Sequence, residues 1–492
     1  MAELTEHATG DPRAESAAPA LRSPGKLRRE LGFIGTLALA IGIMAPTGAL
    51  SINGVPAAGL VGQSVPFAFL VASIAILPVA YGFIRLSQHI SHSGSVYAFC
   101  GITIGPRAGF VGGVSLAAVY TAFTAGAAAL VGLFGAAFLA NVGVTVDWYW
   151  LAFIAGVVVA VLAYLDIRQV TRILLTAEGI SICITAVLFV IIYARIASGS
   201  APQHQTLSLT PFSVPGGAAF SVIGLALIGG FLSFAGFEGT ATMGEESLSA
   251  RRTIPKVLLV LVIALAVYFV FGMYTEVVGF GTTTRGITAF AGSSSALADL
   301  ANLYVGTGLA SVIDIGAMLS VFAASLGTAV AASRIIFSLA RDGFGPPVLA
   351  RTSTRFGAPY GAISAVMILT FITILIFAVS GNSGVNAFFY PGTFGTLVLL
   401  ALYIMTEVGA ILYLFVRRRV QVPMWEAVIP VVGIIILIYV LYRNVWPIPG
   451  APYNVIVILS AVWLVLSIVP VLVAPRLARS IGTRLIAEVA GD

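Results

Sequence analysis

Four carboxylates stand where water should be scarce. Glu178, Glu238, Asp314 and Glu407 each lie well inside a long apolar run. An ionised side chain at the centre of a membrane helix costs about 2.5–3.5 kcal/mol on insertion scales. Each acid must therefore face a protein interior, carry a proton or bind a cation. Of the two lysines, Lys26 precedes the apolar runs and Lys256 stands at the very start of one, so no ammonium lies at mid-span to neutralise them. An acid that loads a proton from one side and releases it to the other is a proton carrier. The structural alternative is a neutral carboxyl hydrogen-bonded to a neighbouring backbone carbonyl. Glu178 and Glu238 are the stronger candidates for the first role. Asp314, toward the outer end of its run, and Glu276, at the end of the run before it, are expected to reach water.

Two apolar runs carry helix breakers at their centres. One reads Ile43-Met44-Ala45-Pro46-Thr47-Gly48, the other Phe231-Leu232-Ser233-Phe234-Ala235-Gly236-Phe237-Glu238. Proline removes a backbone donor and glycine loosens the helix. A broken helix in lipid exposes polar backbone at several kcal/mol per group, so it survives only around a cavity or protein-buried site. Freed amides there can hold a substrate carboxylate, and freed carbonyls an ammonium or a cation. The simpler role for such glycines is close helix packing, the role expected of Gly109 and Gly113. Breaks at matching places, one with a proline and the other with an acid, favour a site.

These elements must be positioned by a membrane fold. Of 492 residues, 59% are apolar and 9% charged, against about 25% charged in soluble domains. Twelve apolar spans are expected near 31–52, 63–86, 105–138, 147–165, 170–196, 216–244, 254–279, 306–340, 360–380, 390–416, 425–446 and 452–474. Long connections fall at 197–215 and 280–305, and a short interfacial segment at 87–104. With a cytoplasmic N-terminus, only Arg195, Arg285 and Arg443 of the 25 Lys and Arg residues fall on the outer side. That bias places both termini in the cytoplasm of a multi-pass protein of the cell membrane. The positive charge is explained by the membrane and calls for no nucleic acid. Cys100 and Cys183 are in no disulfide or metal-ligand spacing.

Interrupted first and sixth spans point to an inverted repeat. The expected divisions are a disordered tail at 1–25, a first five-helix unit at 26–200, a second at 201–420, two further helices at 421–475 and a C-terminal tail at 476–492.

Three motifs then resemble those of the amino acid–polyamine–organocation superfamily of transporters. Gly236-Phe237-Glu238 with Gly244-Glu245-Glu246 and Arg251-Arg252-Thr253-Ile254-Pro255 is similar to its sixth helix and following loop. Ser333-Arg334 with Ala340-Arg341-Asp342-Gly343 and Pro346 resembles the end of its eighth helix. Leu86-Ser87 through Gly94-Ser95-Val96-Tyr97 resembles its second loop. The likeness covers about 30–475. It implies an all-α membrane protein of twelve helices, a LeuT-like five-plus-five inverted repeat with two added helices. It also implies a permease for amino acids or amines that works by symport, exchange or facilitated diffusion. Substrate would lie at Ile43, Met44, Ala45, Pro46, Thr47 and Gly48 and at Phe231, Ser233, Phe234, Ala235, Gly236 and Glu238, with Phe231 or Phe234 as a gate.

The departures bear on mechanism. Ala45-Pro46-Thr47-Gly48 replaces a glycine-rich motif, and Ser249-Ala250 stands where Asn-Pro is usual. Some members hold a fifth-helix lysine in place of a sodium ion; Glu178 matches that position, and Thr328 the eighth-helix hydroxyl beside it. A carboxyl reverses the electrostatics, so Glu178, Glu238 and Thr328 are the ion-coupling candidates, with H+ as the expected ion and Na+ as the alternative. No cofactor or metal is expected. Glu245, Glu246, Arg251, Arg252, Arg334, Arg341 and Asp342 are expected to form ion pairs that close an inner gate. A channel would need symmetric rings, and an enzyme or ATP-driven pump a motif that is absent here. An exchanger, a uniporter and a transport-inactive sensor of the same fold remain open; the oligomeric state is not specified.

Overall fold

The computed structural model describes residues 31–92, 94–165, 168–214, 220–244, 247–353, 357–417 and 422–473. Within these residues the α-helices run in the order α1 (Phe33–Met44), α2 (Pro46–Ile52), α3 (Gly54–Val61), α4 (Val65–Ser87), α5 (Val96–Thr103), α6 (Pro106–Asn141), α7 (Trp148–Tyr164), α8 (Arg168–Ala197), α9 (Phe220–Phe234), α10 (Ala250–Phe280), α11 (Thr284–Ala291), α12 (Ala296–Tyr304), α13 (Thr307–Arg341), α14 (Tyr360–Val379), α15 (Gly384–Ile411), α16 (Val428–Val445) and α17 (Tyr453–Val473). Among the described residues there is no strand, only an isolated parallel bridge between Leu31 and Ser247.

Among the described residues, eleven helical stretches are long and apolar enough to cross a membrane; α7, where a further span is expected, is a shorter apolar helix of 17 residues. Proline opens several helices at the first turn, as Pro106 does in α6, where its missing N–H has no partner to lose. The long α6 and α13 pack against each other at the centre. Small residues let α5 approach α6 closely: a Cβ added at Gly109 would stand 2.8 Å from the Gly101 Cα. Large apolar side chains on α16 and α17, such as Ile435, Ile438, Val465 and Leu472, point outward, as a lipid-facing surface requires.

Three regions differ from expectation. The long connection at 280–305 holds α11 and α12, which cover one end of α10. α15 begins six residues early, because the Ser383 hydroxyl accepts the Asn386 amide at 3.2 Å and caps the helix. The segment at 87–104 holds α5, which is packed into the protein against α6. It works as a strap. Its Ser95 hydroxyl donates to the Glu238 carbonyl at 2.9 Å, Tyr97 to Asp342 at the end of α13 at 2.5 Å, and its Thr103 carbonyl accepts from Arg417 at 2.7 Å.

Candidate functional site

The first break sits at Ala45, whose φ of 43° places a non-glycine residue in the left-handed region. α1 ends there, with the Ala45 amide donating to Ile41 at 3.1 Å. Pro46 then starts α2. The amides freed at that start are taken by side chains from two other helices. The Thr47 amide and hydroxyl both donate to Oε1 of Glu178 on α8, at 3.1 and 2.9 Å, and the Gly48 amide donates to the Ser320 hydroxyl on α13 at 3.1 Å. Glu178 is buried, and its Oε2 has no hydrogen-bond partner among the described residues.

The second break lies at Gly236, with φ of 108°, after which Phe237–Met243 forms a 3-10 turn. Glu238 closes it. Its Oε2 accepts from the Gly236 amide at 3.0 Å and from the Tyr403 hydroxyl on α15 at 2.6 Å, and its Oε1 from the Tyr120 hydroxyl on α6 at 3.0 Å. A carboxylate at each break thus replaces the backbone bonds that an unbroken helix would make.

The two breaks touch. Ile43 inserts between Gly236, Gly239 and Gly327, where added methyls would stand 3.0, 3.4 and 2.7 Å from its side chain. Met44 lies beside the same Gly236. Beyond the breaks, the Asn53 amide group donates to the Ser233 hydroxyl at 2.8 Å, tying the end of α2 to α9. Phe231 and Phe234 are buried, and Phe234 meets Phe269 edge-on at 5.6 Å. Ala235 and Gly236 form the joint itself. The Thr328 hydroxyl pairs with Thr124 of α6 at 2.9 Å, and the α13 hydroxyl beside Glu178 is that of Ser320.

Both acids expected to reach water are buried. Asp314 accepts from Ser295 at 2.8 Å and Asn141 at 3.4 Å, because α12 folds over the end of its helix. Glu276 is fully enclosed, with neither oxygen hydrogen-bonded among the described residues, because α11 and α12 cover what reads as an open loop. Glu407 is likewise enclosed, pressed against Gly82 of α4.

Of the expected gating residues, Glu245 and Glu246 lie outside the described residues. Arg252 is exposed, Arg334 is half-buried, and Arg341 lies 3.6 Å from the Asp342 carboxylate and over the Phe337 ring. The structure adds a cluster that sequence reasoning missed, in which Arg85 and Tyr81 of α4 both bond the Glu426 carboxylate. Ser320, Tyr120, Tyr403 and Asn53 were also missed. Each is a polar residue in apolar sequence, and nothing in spacing tells which break it reaches.

Fold and site together define a multi-pass, all-helical membrane protein organised around two interrupted helices. A sequence model of the amino acid permease family matches residues 31–475, and the chain belongs to that family. It is 26% identical to the branched-chain amino acid permease BcaP of Bacillus subtilis, over 68% of this chain and 72% of the relative. It is 22% identical to the methylthioribose transporter of the same species, over 89% and 92%. With the vacuolar cationic amino acid transporter 4 of Arabidopsis thaliana it shares 24% over 70% of this chain and 58% of the relative. These relatives are transporters, not enzymes.

Proposed function

We propose that this protein is a secondary active transporter that carries an amino acid or related amine across the cytoplasmic membrane by alternating access, coupled to protons. In this reading α7 is a twelfth span, both termini are cytoplasmic, and two inverted five-helix units meet at the breaks. The observation that carries it is the contact between the two breaks, whose freed amides are held by the carboxylates of Glu178 and Glu238.

The Thr47 amide and hydroxyl are the natural seat for a substrate carboxylate, but Glu178 occupies them. Hydrogen bonds to a charged carboxylate are about twice as strong as neutral ones. A proton delivered to Glu178 therefore loosens its hold and frees both donors for the substrate. Proton and substrate then bind together, which is the requirement of symport. The substrate ammonium falls to the carbonyls at the end of α1, the negative end of that half-helix. Phe231 and Phe234 flank the joint on one side; the strap α5 and the arginines near the ends of α13 and α10 close the other.

The test is uptake into proteoliposomes from a panel of amino acids and amines, with an inward proton gradient, an inward sodium gradient, or neither. Accumulation driven by the proton gradient supports the proposal, and Glu178→Gln is expected to abolish that drive while substrate binding persists. Accumulation on sodium alone overturns the proton reading. Equilibration without accumulation makes the protein a uniporter or exchanger, and no uptake by folded protein makes it a sensor.

A further inference from the structure

Glu276 has no part in the scheme above, yet it is a fully buried carboxyl without a hydrogen-bond partner among the described residues. It lies four residues, about 6 Å of helix rise, from the end of α10. The helix on either side of it packs against apolar side chains. One turn before it, Gly272 lies against Leu50 of α2, and one turn after it, Gly279 lies against Leu300 of α12 and Ile192 of α8. α11 and α12 close over this end as a lid. The Gln205 side chain and the Tyr304 hydroxyl both donate to the Gly279 carbonyl, at 2.9 and 3.1 Å, and Phe290 of α11 stacks on Phe280 at 5.3 Å.

We propose that Glu276 is a proton-binding group controlled by this lid: the carboxyl holds a proton while the lid is closed and releases it to the outer solution when the lid opens. The inference rests on the orientation proposed above, which makes this end extracellular. An ionised carboxylate with no hydrogen bond is costly in such an environment, so ionisation requires water, and water requires an open lid. By linkage, higher outer pH then favours the open state.

Neighbouring charges do not supply an alternative. α2 and α3 carry no titratable residue. From α8, Tyr193 is bonded to Thr275, Arg195 is exposed, and Glu178 lies at the first break. From α12, Asp299 is bonded to Ser293 and Tyr304 to Gly279, and Arg285 of α11 is exposed. On α10 itself, the buried Tyr268 hydroxyl lies two turns before Glu276.

The test uses the full chain in nanodiscs with a thiol placed beneath the lid. Ala301 is fully buried on α12, and its neighbour Asn302 is exposed. The rate of maleimide labelling at Ala301→Cys, divided by that at Asn302→Cys at the same pH, cancels the pH dependence of the thiol. This ratio is expected to rise between about pH 5.5 and about pH 7.5, by at most about tenfold per pH unit for one proton. Adding Glu276→Gln should make it flat, and Glu276→Asp, which keeps the titratable group, should preserve the slope. A flat ratio in the parent, or an unchanged slope in Glu276→Gln, overturns the inference. If Glu276→Gln does not fold, Glu276→Asp and Glu276→Met decide it by the same contrast. Failure of the orientation shows separately, as no labelling of Asn302→Cys by an impermeant reagent added to intact cells. Failure of proton coupling shows in the uptake assay and leaves the labelling ratio untouched.

Discussion

Replacing Gly236 by alanine tests whether the second break is a fixed joint. A residue with a Cβ held at positive φ costs about 1–3 kcal/mol, and Gly236 sits at φ 108°. Its new methyl would also stand 3.0 Å from Cγ2 of Ile43, tight enough to push α1 away from the 3-10 turn. Gly306 is the control. It has φ 137° at the start of α13 and open space where a methyl would go, so it carries the backbone cost without the contact. Both variants are expected to lower thermal stability in detergent. Only Gly236→Ala should also slow proteoliposome uptake, by about 5- to 150-fold if the full 1–3 kcal/mol biases the transport cycle. Equal uptake rates for the two variants at equal protein incorporation would refute the reasoning, since the joint would then be free to relax.

The other expectations concern the supports of the site. Ser320→Ala leaves the buried Gly48 amide without its acceptor and should cost about 1–3 kcal/mol; Ser320→Thr, which retains a hydroxyl, should recover most of the melting temperature. Glu238→Gln removes the charge to which Tyr120, Tyr403 and Gly236 donate. It should abolish or uncouple transport while the protein still reaches the membrane, and full pH-dependent uptake would remove Glu238 from the mechanism. Tyr97→Phe and Asp342→Asn break the same strap bond, each by about 1.5–3 kcal/mol, and a double variant less stable than either by the full sum would show that they act separately. His89, beyond the end of α4, is held below its ordinary value of 6.5 by burial and then by the positive fields of Arg251 and Arg85. The unfolded chain binds that proton more readily, so this contribution to stability is present above pH 6.5 and lost as pH falls. His89→Gln should flatten the acid side of a melting profile.

The long membrane helices and the interrupted first and sixth spans are legible in the residues alone, because these follow from local rules. Lipid demands long apolar runs, and a mid-span Pro46 or Gly236 leaves the backbone few ways to continue. Expected span boundaries therefore agree with the described helices to within a few residues at most ends. What each polar side chain touches was decided only by the tertiary structure. Glu178 meets Thr47 across 131 positions and Tyr403 meets Glu238 across 165, separations over which periodicity carries no information. The hydroxyl beside Glu178 is Ser320 rather than Thr328 because the facing of α13 is set by its packing against α2 and α6. Glu276 and Asp314 look wet in the sequence for the same reason. Burial is a property of what folds over a residue, and α11 and α12, short helices in a segment with no long apolar run, give no warning that they will cover two acids.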